Sequence, residues 1–119
     1  NHLHRGFDSR GISTLGNFVS ELAFANGLKS FNVAVFAAGG QYSLLDRIIE
    51  ADERSDDTAF QYFWEQATYD ATVFDLRPLR NHLHMISLHD RTELQKRLLY
   101  WADSYDAIIC YKNVTPIKR

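Results

Sequence analysis

The chain has 119 residues, 45% of them hydrophobic and 24% charged, which is the composition of one modest globular domain. Its net charge of −2 and pI near 6.2 predict no nucleic-acid partner and no anionic membrane surface as partner. No apolar run approaches the roughly 20 residues that a membrane span needs, so no membrane partner is expected.

The first segment is NHLHRG, and its first four letters return at residues 81–84. In an extended segment, His2 and His4 project to the same face, and two imidazoles so placed can bind zinc or copper. A closed metal site needs three or four ligands, and no further ligand stands at a recognisable spacing, so we assign no metal. For His2, a functional role and a surface position both stay open.

Residues 14–26 predict an amphipathic helix that Gly27 ends. Its apolar stripe follows the spacing i, i+3, i+4, i+7: Leu15, Phe18, Val19 and Leu22. Residues 30–38 are apolar on both alternations, which predicts a central strand covered on both sides.

Gly39 and Gly40 follow this strand. Ligands of open α/β sheets bind beyond the carboxyl ends of strands, so the pair is a candidate lip of a substrate pocket. The pair has neither the lysine nor the spacing of a phosphate loop, and we expect no nucleotide cofactor or other cofactor. An ordinary turn is the alternative interpretation.

Helical spacing predicts a second helix over residues 43–53, and Thr58 is a candidate cap for a third over residues 59–67. Residues 71–76 predict a strand that Arg77–Pro78 closes. Arg77 is a candidate substrate-binding residue at this strand end, and its alternative role is a local charge pair with Asp75.

The stretch after Pro78 that holds His82 and His84 has no clear period and predicts a surface loop, and His89 comes just before a helix. All three histidines are expected to be satisfied by water or backbone groups. Asp90 and Glu93 predict a capping pair for a helix that runs to about residue 104. Residues 105–111 predict the last strand, in which Cys110, the only cysteine, is expected to be buried. A single thiol is compatible with export and with the cytoplasm, where we place the protein.

The order of these elements predicts an α/β fold of three layers with a largely parallel sheet. Three strands with crossover helices are only half of such a sheet. The chain also starts without methionine and stops soon after a strand. We therefore interpret residues 1–119 as one α/β unit and an incomplete part of a larger domain.

The motifs NHLHRG, LGNFVSELAF, KSFNVAVFAAGGQY, ATVFDLR and YDAIICYKNVTPIKR together resemble the C-terminal half of erythromycin esterase-like proteins. The resemblance spans nearly the whole chain in the right order. It implies a hydrolase in which histidines and acidic residues activate water to open an ester or a macrolactone. His2 matches a functional histidine of the family and Arg5 the basic residue after it, whereas His4 replaces a usually small residue of the pocket.

The resemblance thus implies His2 and Arg5 as catalytic residues and places His4 in the pocket. With His4, the residues at the two strand ends, Gly39, Gly40 and Arg77, are the substrate-binding candidates. The partner is a small-molecule ester or lactone, and the chain alone is expected to be inactive because the family's N-terminal acid and base have no counterpart here. Two alternatives stay open. One is a non-catalytic protein that holds a metal or haem with His2 and His4, and the other is a domain whose histidines do nothing.

Overall fold

A computed structural model describes residues 5–6, 13–44, 47–50 and 58–116. The described helices are α1 (Leu15–Ala25), α2 (Thr58–Gln66), α3 (Arg77–His84) and α4 (Glu93–Ser104), and the strands are β1 (Val33–Ala37), β2 (Gln41–Leu44), β3 (Arg47–Glu50), β4 (Ala71–Asp75) and β5 (Ala107–Tyr111). The chain divides into two compact units. The first unit is residues 1–34 and 75–107, and the second unit is residues 35–74 and 108–119. The predicted mixed α/β class is confirmed.

The strands β1, β5 and β4 form a three-stranded sheet in that order. At the start of β1, the Asp106 N–H donates to the Asn32 carbonyl at 2.8 Å. At its end, the Ala38 N–H donates to the Tyr111 carbonyl at 2.8 Å. Because the starts of β1 and β5 are paired and their ends are paired, these two strands are parallel.

The other pair of strands runs in opposite directions. The Lys112 N–H, after β5, donates to the Asp70 carbonyl, before β4, at 3.0 Å. The Leu76 N–H, after β4, donates to the Asp106 carbonyl, before β5, at 2.8 Å. The sheet is therefore mixed, and the expectation of a largely parallel sheet is not confirmed.

The helix predicted over residues 43–53 is wrong where the structure describes it. Strands β2 and β3 form an antiparallel hairpin in which Gln41 lies opposite Glu50 and Leu44 opposite Arg47. A short run of apolar residues fits helix and strand spacing alike, and here the cross-strand pairing decides. Residues 51–53 lie outside the described residues.

The ends of two helices follow local side-chain chemistry. Thr14 caps α1 by accepting the Asn17 N–H at 3.3 Å, and Gly27 follows the helix with a φ of +69°, as predicted. Helix α4 begins later than expected, because Thr92 and Gln95 form its capping box. The prediction of an Asp90–Glu93 pair is wrong, since Asp90 belongs to a preceding turn of 3-10 helix.

The predicted loop over residues 77–84 is helix α3. Pro78 lies in its first turn, where a missing N–H removes no helical hydrogen bond. Helix α3 packs against α4, and together with the adjoining segments they supply most of the core of the first unit: Leu76, Leu83, Leu98, Leu99, Trp101, Ala102 and Tyr105.

Aromatic packing forms the core of the second unit. Phe60 of α2 meets Phe36 of β1 edge-on at 5.4 Å between ring centroids, and Phe63 meets Phe74 of β4 at 5.3 Å. Cys110 is fully buried, as predicted, and this burial raises the pKa of its thiol.

The amphipathic helix is present as α1, but its apolar stripe is exposed. Its four apolar side chains are 45–57% exposed, and Gly16 is the only buried residue of the helix. Strand β1 was predicted to be covered on both sides, but only one of its faces is covered. Ala34 and Phe36 are buried, whereas Val33 and Val35 are exposed. The described part of the chain thus leaves two amphipathic surfaces without cover. No described helix combines the length and the apolar character needed to cross a membrane.

Candidate functional site

Arg5 is anchored by three groups of the first unit. Its backbone N–H donates to the Ser104 carbonyl at 3.1 Å, and its Nε donates to Ser20 Oγ of α1 at 3.2 Å. Its Nη1 donates to Asp106 Oδ1 at 3.1 Å, and its Nη2 donates to the other oxygen of the same carboxylate. A guanidinium has five N–H groups, so two are left without a partner among the described residues and can serve a ligand.

Asp106 is the acceptor on which this arrangement depends. Its carboxylate also accepts the Asn32 N–H at 2.8 Å and Arg80 Nη2 at 3.1 Å, so four donors occupy its two oxygens. The residue is only 5% exposed. Burial alone would raise the pKa of Asp106, but the hydrogen bonds from Arg5, Asn32 and Arg80 outweigh it and hold the pKa below its ordinary value. Asp106 is therefore an ionised carboxylate whose two oxygens anchor the surrounding donors.

Arg80 links the same carboxylate to the end of α4. Its Nε donates to the Ala102 carbonyl at 2.6 Å and its Nη2 to the Tyr105 carbonyl at 2.9 Å. A cation suits these carbonyls, because the last turn of a helix carries partial negative charge. We call Arg5, Arg80 and Asp106 the arginine–aspartate cluster.

Arg77 stands at the start of α3 and forms the local pair that the sequence offered as its alternative role. Its Nε and Nη2 donate to the two oxygens of Asp75 at 2.9 and 2.7 Å. These hydrogen bonds lower the pKa of Asp75 from 3.8 to about 2. The Arg77 guanidinium also lies over the Phe31 ring, 5.3 Å from its centroid.

An open pocket of about 480 Å³ lies in the first unit. Three cationic side chains line it: Arg5, Lys29 and Arg77. Its apolar lining residues are Phe24, Leu28 and Phe31, and its other polar lining residues are Ser20, Ser30 and Asp106. We call this the cationic pocket. Its volume is that of ordinary small-molecule sites.

The structure brings two of the six predicted site residues together, since Arg5 and Arg77 both line the cationic pocket. Gly39 and Gly40 belong to the second unit and do not line it. Gly40 has a φ of +87°, and a Cβ there would collide with the Val114 backbone. Its described role is thus a close backbone approach. His2 and His4 lie outside the described residues, and their predicted roles stay predictions.

The second NHLH stretch lies on α3. His84 Nε2 is 2.8 Å from Asp103 Oδ1 of α4, and both side chains are about half exposed. His82 and His89 are exposed. Within the described ranges, no three His, Cys, Asp or Glu side chains gather as a metal site would require. The described residues therefore add no ligand cluster to the metal- or haem-binding alternative, which stays a prediction for His2 and His4.

No protein-family model, no curated protein and no solved structure matches this chain.

Sequence reasoning missed Arg80, Asp106 and Lys29. Asp106 had a usable signal, because a carboxylate directly before a wholly apolar strand is almost never buried without a partner. No sequence signal marked Lys29, since a single lysine in a polar turn belongs to no periodic pattern or motif. Only the fold places it beside Arg5 and Arg77.

Proposed function

We propose that the chain is the C-terminal part of an erythromycin esterase-like hydrolase, which uses histidine to activate the water that opens an ester or a lactone. The observation that carries the proposal is the anchoring of Arg5 at a pocket wall by Asp106 and Ser20. Arg5 is the residue that the family resemblance places after the functional histidine. A guanidinium fixed before the substrate binds is a preorganised donor for an oxyanion.

In this proposal the substrate carbonyl lies against the two remaining N–H groups of Arg5. His2 takes a proton from water as the oxygen of that water adds to the carbonyl carbon, and negative charge then collects on the carbonyl oxygen. The C–O bond to the alcohol breaks, and His2 returns the proton to the leaving oxygen. Three peptide units join the Cα atoms of His2 and Arg5, a reach of at most roughly 11 Å. Asp106 fixes Arg5 and takes no proton.

We also propose that residues 1–119 are an incomplete part of a larger domain. The apolar stripe of α1 and the exposed face of β1 are surfaces that further elements of a three-layer, more fully parallel sheet would cover. We propose that a preceding segment of the complete protein supplies these elements, together with an acid and a second base. The complete enzyme would act on a small molecule in the cytoplasm without a cofactor.

The test is to read the coding sequence before Asn1, express the longer protein and assay it on simple esters and lactones. We expect His2→Ala to lower the turnover by a factor of roughly 10² or more, the usual contribution of a general acid–base group. Arg5→Lys should also lower kcat, because a lysine cannot reproduce the three-way anchoring of the guanidinium.

His89→Ala is the matched control, since His89 is exposed and lies outside the cationic pocket. Its turnover should equal that of the unaltered protein. A His2→Ala variant with unchanged turnover would remove His2 from the mechanism. A longer protein that hydrolyses neither esters nor lactones would refute the proposed function as a whole.

A further inference from the structure

The cationic pocket is positively charged, although the net charge of the whole chain is negative. Among the described residues, the pocket lining and its ion-pair partners comprise four cations, Arg5, Lys29, Arg77 and Arg80, and two carboxylates, Asp75 and Asp106, which gives this group a net charge of +2. The whole chain has a net charge of −2. A concave surface that gathers one sign of charge concentrates ligands of the opposite sign.

The oxygens of the two carboxylates in this group already accept hydrogen bonds from arginine side chains, so they are poorly placed to contact a ligand. Asp106 is buried beneath Arg5 and Arg80, and both oxygens of Asp75 accept from Arg77. The cations are more available. Lys29 is exposed, and its ammonium has no hydrogen-bond or ion-pair partner among the described residues. Arg77 uses two of its guanidinium nitrogens on Asp75 and presents the third, Nη1, without such a bond in the described chain.

Apolar side chains also line the pocket. Phe24, Leu28 and Phe31 line it and are 85%, 66% and 56% exposed, so their surface is open to a ligand. Arg77 lies over the Phe31 ring, which places a cationic group directly beside an aromatic one. A ligand that matches both the cationic and the apolar lining residues has an apolar body and an acidic group.

We infer that the cationic pocket binds a small amphipathic anion, with its carboxylate between Lys29 and Arg77 and its apolar body against Phe24, Leu28 and Phe31. The inference rests on the proposed function only in taking this anion to be the substrate. The substrate class is then an ester or lactone that also carries an acidic group. A cationic, amino-bearing macrolide is disfavoured by the charge of the pocket.

The test uses three probes with the same phenylbutyl body and different charge: 4-phenylbutanoate, 4-phenylbutanamide and 4-phenylbutan-1-amine. Binding to the full chain is followed by calorimetry and by NMR shifts of the backbone amides of residues 28–31. We expect saturable binding of the anion with a Kd of roughly 1 mM or tighter, which suits a ligand of this size. The amide should bind at least about fivefold more weakly, as one exposed charge interaction requires. The amine should bind more weakly still.

Lys29→Gln should weaken binding of the anion about fivefold and leave binding of the amide unchanged. Lys96→Gln is the control, because Lys96 is an exposed lysine of α4 outside the pocket. Higher ionic strength should weaken binding of the anion and not that of the amide.

Equal affinity for the three probes, an equal effect of both lysine variants, or no saturable binding of the anion would overturn the inference. This last result is expected if another segment of the protein occupies the pocket. The two proposals fail separately. Hydrolysis that ignores the charge of the substrate refutes the anion pocket alone, whereas anion binding without any hydrolysis by the longer protein refutes the enzyme alone.

Discussion

At the scale of single residues, Asp106 is the side chain on which the stability of the first unit depends most. Its carboxylate is nearly inaccessible to solvent and satisfies two guanidinium groups and one backbone N–H. Removing one partner of a buried ion pair leaves the other charge buried without a counter-charge. The free-energy cost of that change exceeds the net stabilisation that the intact pair provides. The same carboxylate orients Arg5 at the cationic pocket. Stability and the geometry of the site therefore depend on one side chain.

We predict that Asp106→Asn lowers the free energy of unfolding by roughly 3 kcal/mol at pH 7, because an amide keeps the shape and loses the charge. The folded-state pKa of Asp106 lies below its ordinary value of 3.8. The stabilisation by the carboxylate is thus fully present above 3.8 and is lost as the pH falls through the folded-state pKa. Urea unfolding of both proteins across this pH range should show the difference shrink in acid.

The control for this prediction is Asp103→Asn. Asp103 contacts His84 and is about half exposed, so its loss should change the free energy of unfolding by roughly 0.5 kcal/mol or less. A difference between Asp106→Asn and the unaltered chain that stays constant into acid would mean that the carboxylate charge is not the cause.

At the scale of secondary-structure elements, the start of α4 shows how a local motif can be placed wrongly by two residues. Asp90 and Glu93 have the spacing of a capping pair, but so do Thr92 and Gln95. In the folded chain the Gln95 N–H donates to Thr92 Oγ1 at 3.1 Å, and the Thr92 N–H donates to Gln95 Oε1 at 2.9 Å. Asp90 instead closes a 3-10 turn with Ser87.

If Thr92 caps α4, its substitution should destabilise the protein more than substitution of Asp90, and the reverse holds if Asp90 is the cap. We predict that Thr92→Ala lowers the free energy of unfolding by about 1 kcal/mol, the usual value for the loss of an N-cap side chain. Asp90→Ala should change it by roughly 0.5 kcal/mol or less, since Asp90 is exposed and its side chain does not cap α4. Thermal unfolding of the two variants decides between them. A larger effect at Asp90 would restore the capping pair first predicted.

At the scale of the whole molecule, the unburied stripe of α1 is the feature that an isolated domain explains least well. Helix stability in proteins comes mainly from the packing of an apolar face, and this face is open in the described chain. The proposal that a preceding segment covers it makes the stability contribution of α1 depend on the length of the protein.

We predict that Leu22→Asn changes the free energy of unfolding of the 119-residue chain by roughly 0.5 kcal/mol or less, because Leu22 is 53% exposed. In the longer protein the same change should cost roughly 2–3 kcal/mol, as expected for a buried leucine. Leu98→Ala, at a buried position of α4, should destabilise both proteins and is the positive control. Equally small effects of Leu22→Asn in both would contradict the proposed cover.

The sequence by itself determined the elements whose signals are local. Helices α1, α2 and α4 follow from local sequence patterns such as 3.6-residue periodicity, and β1, β4 and β5 follow from runs of β-branched and aromatic residues. Helix α3 could also have been predicted, because Pro78 suits the first turn of a helix as well as the end of a strand. Arg5 and Arg77 were chosen from sequence, and both line the cationic pocket.

The tertiary structure alone decided which surfaces meet. The β2–β3 hairpin depends on cross-strand partners that a helical spacing does not reveal, and the direction of β4 depends on pairing with a strand more than 30 residues away. The arginine–aspartate cluster joins residues up to 101 positions apart. Such contacts depend on the spatial arrangement of distant segments, whereas periodicity and capping act within one or two helical turns.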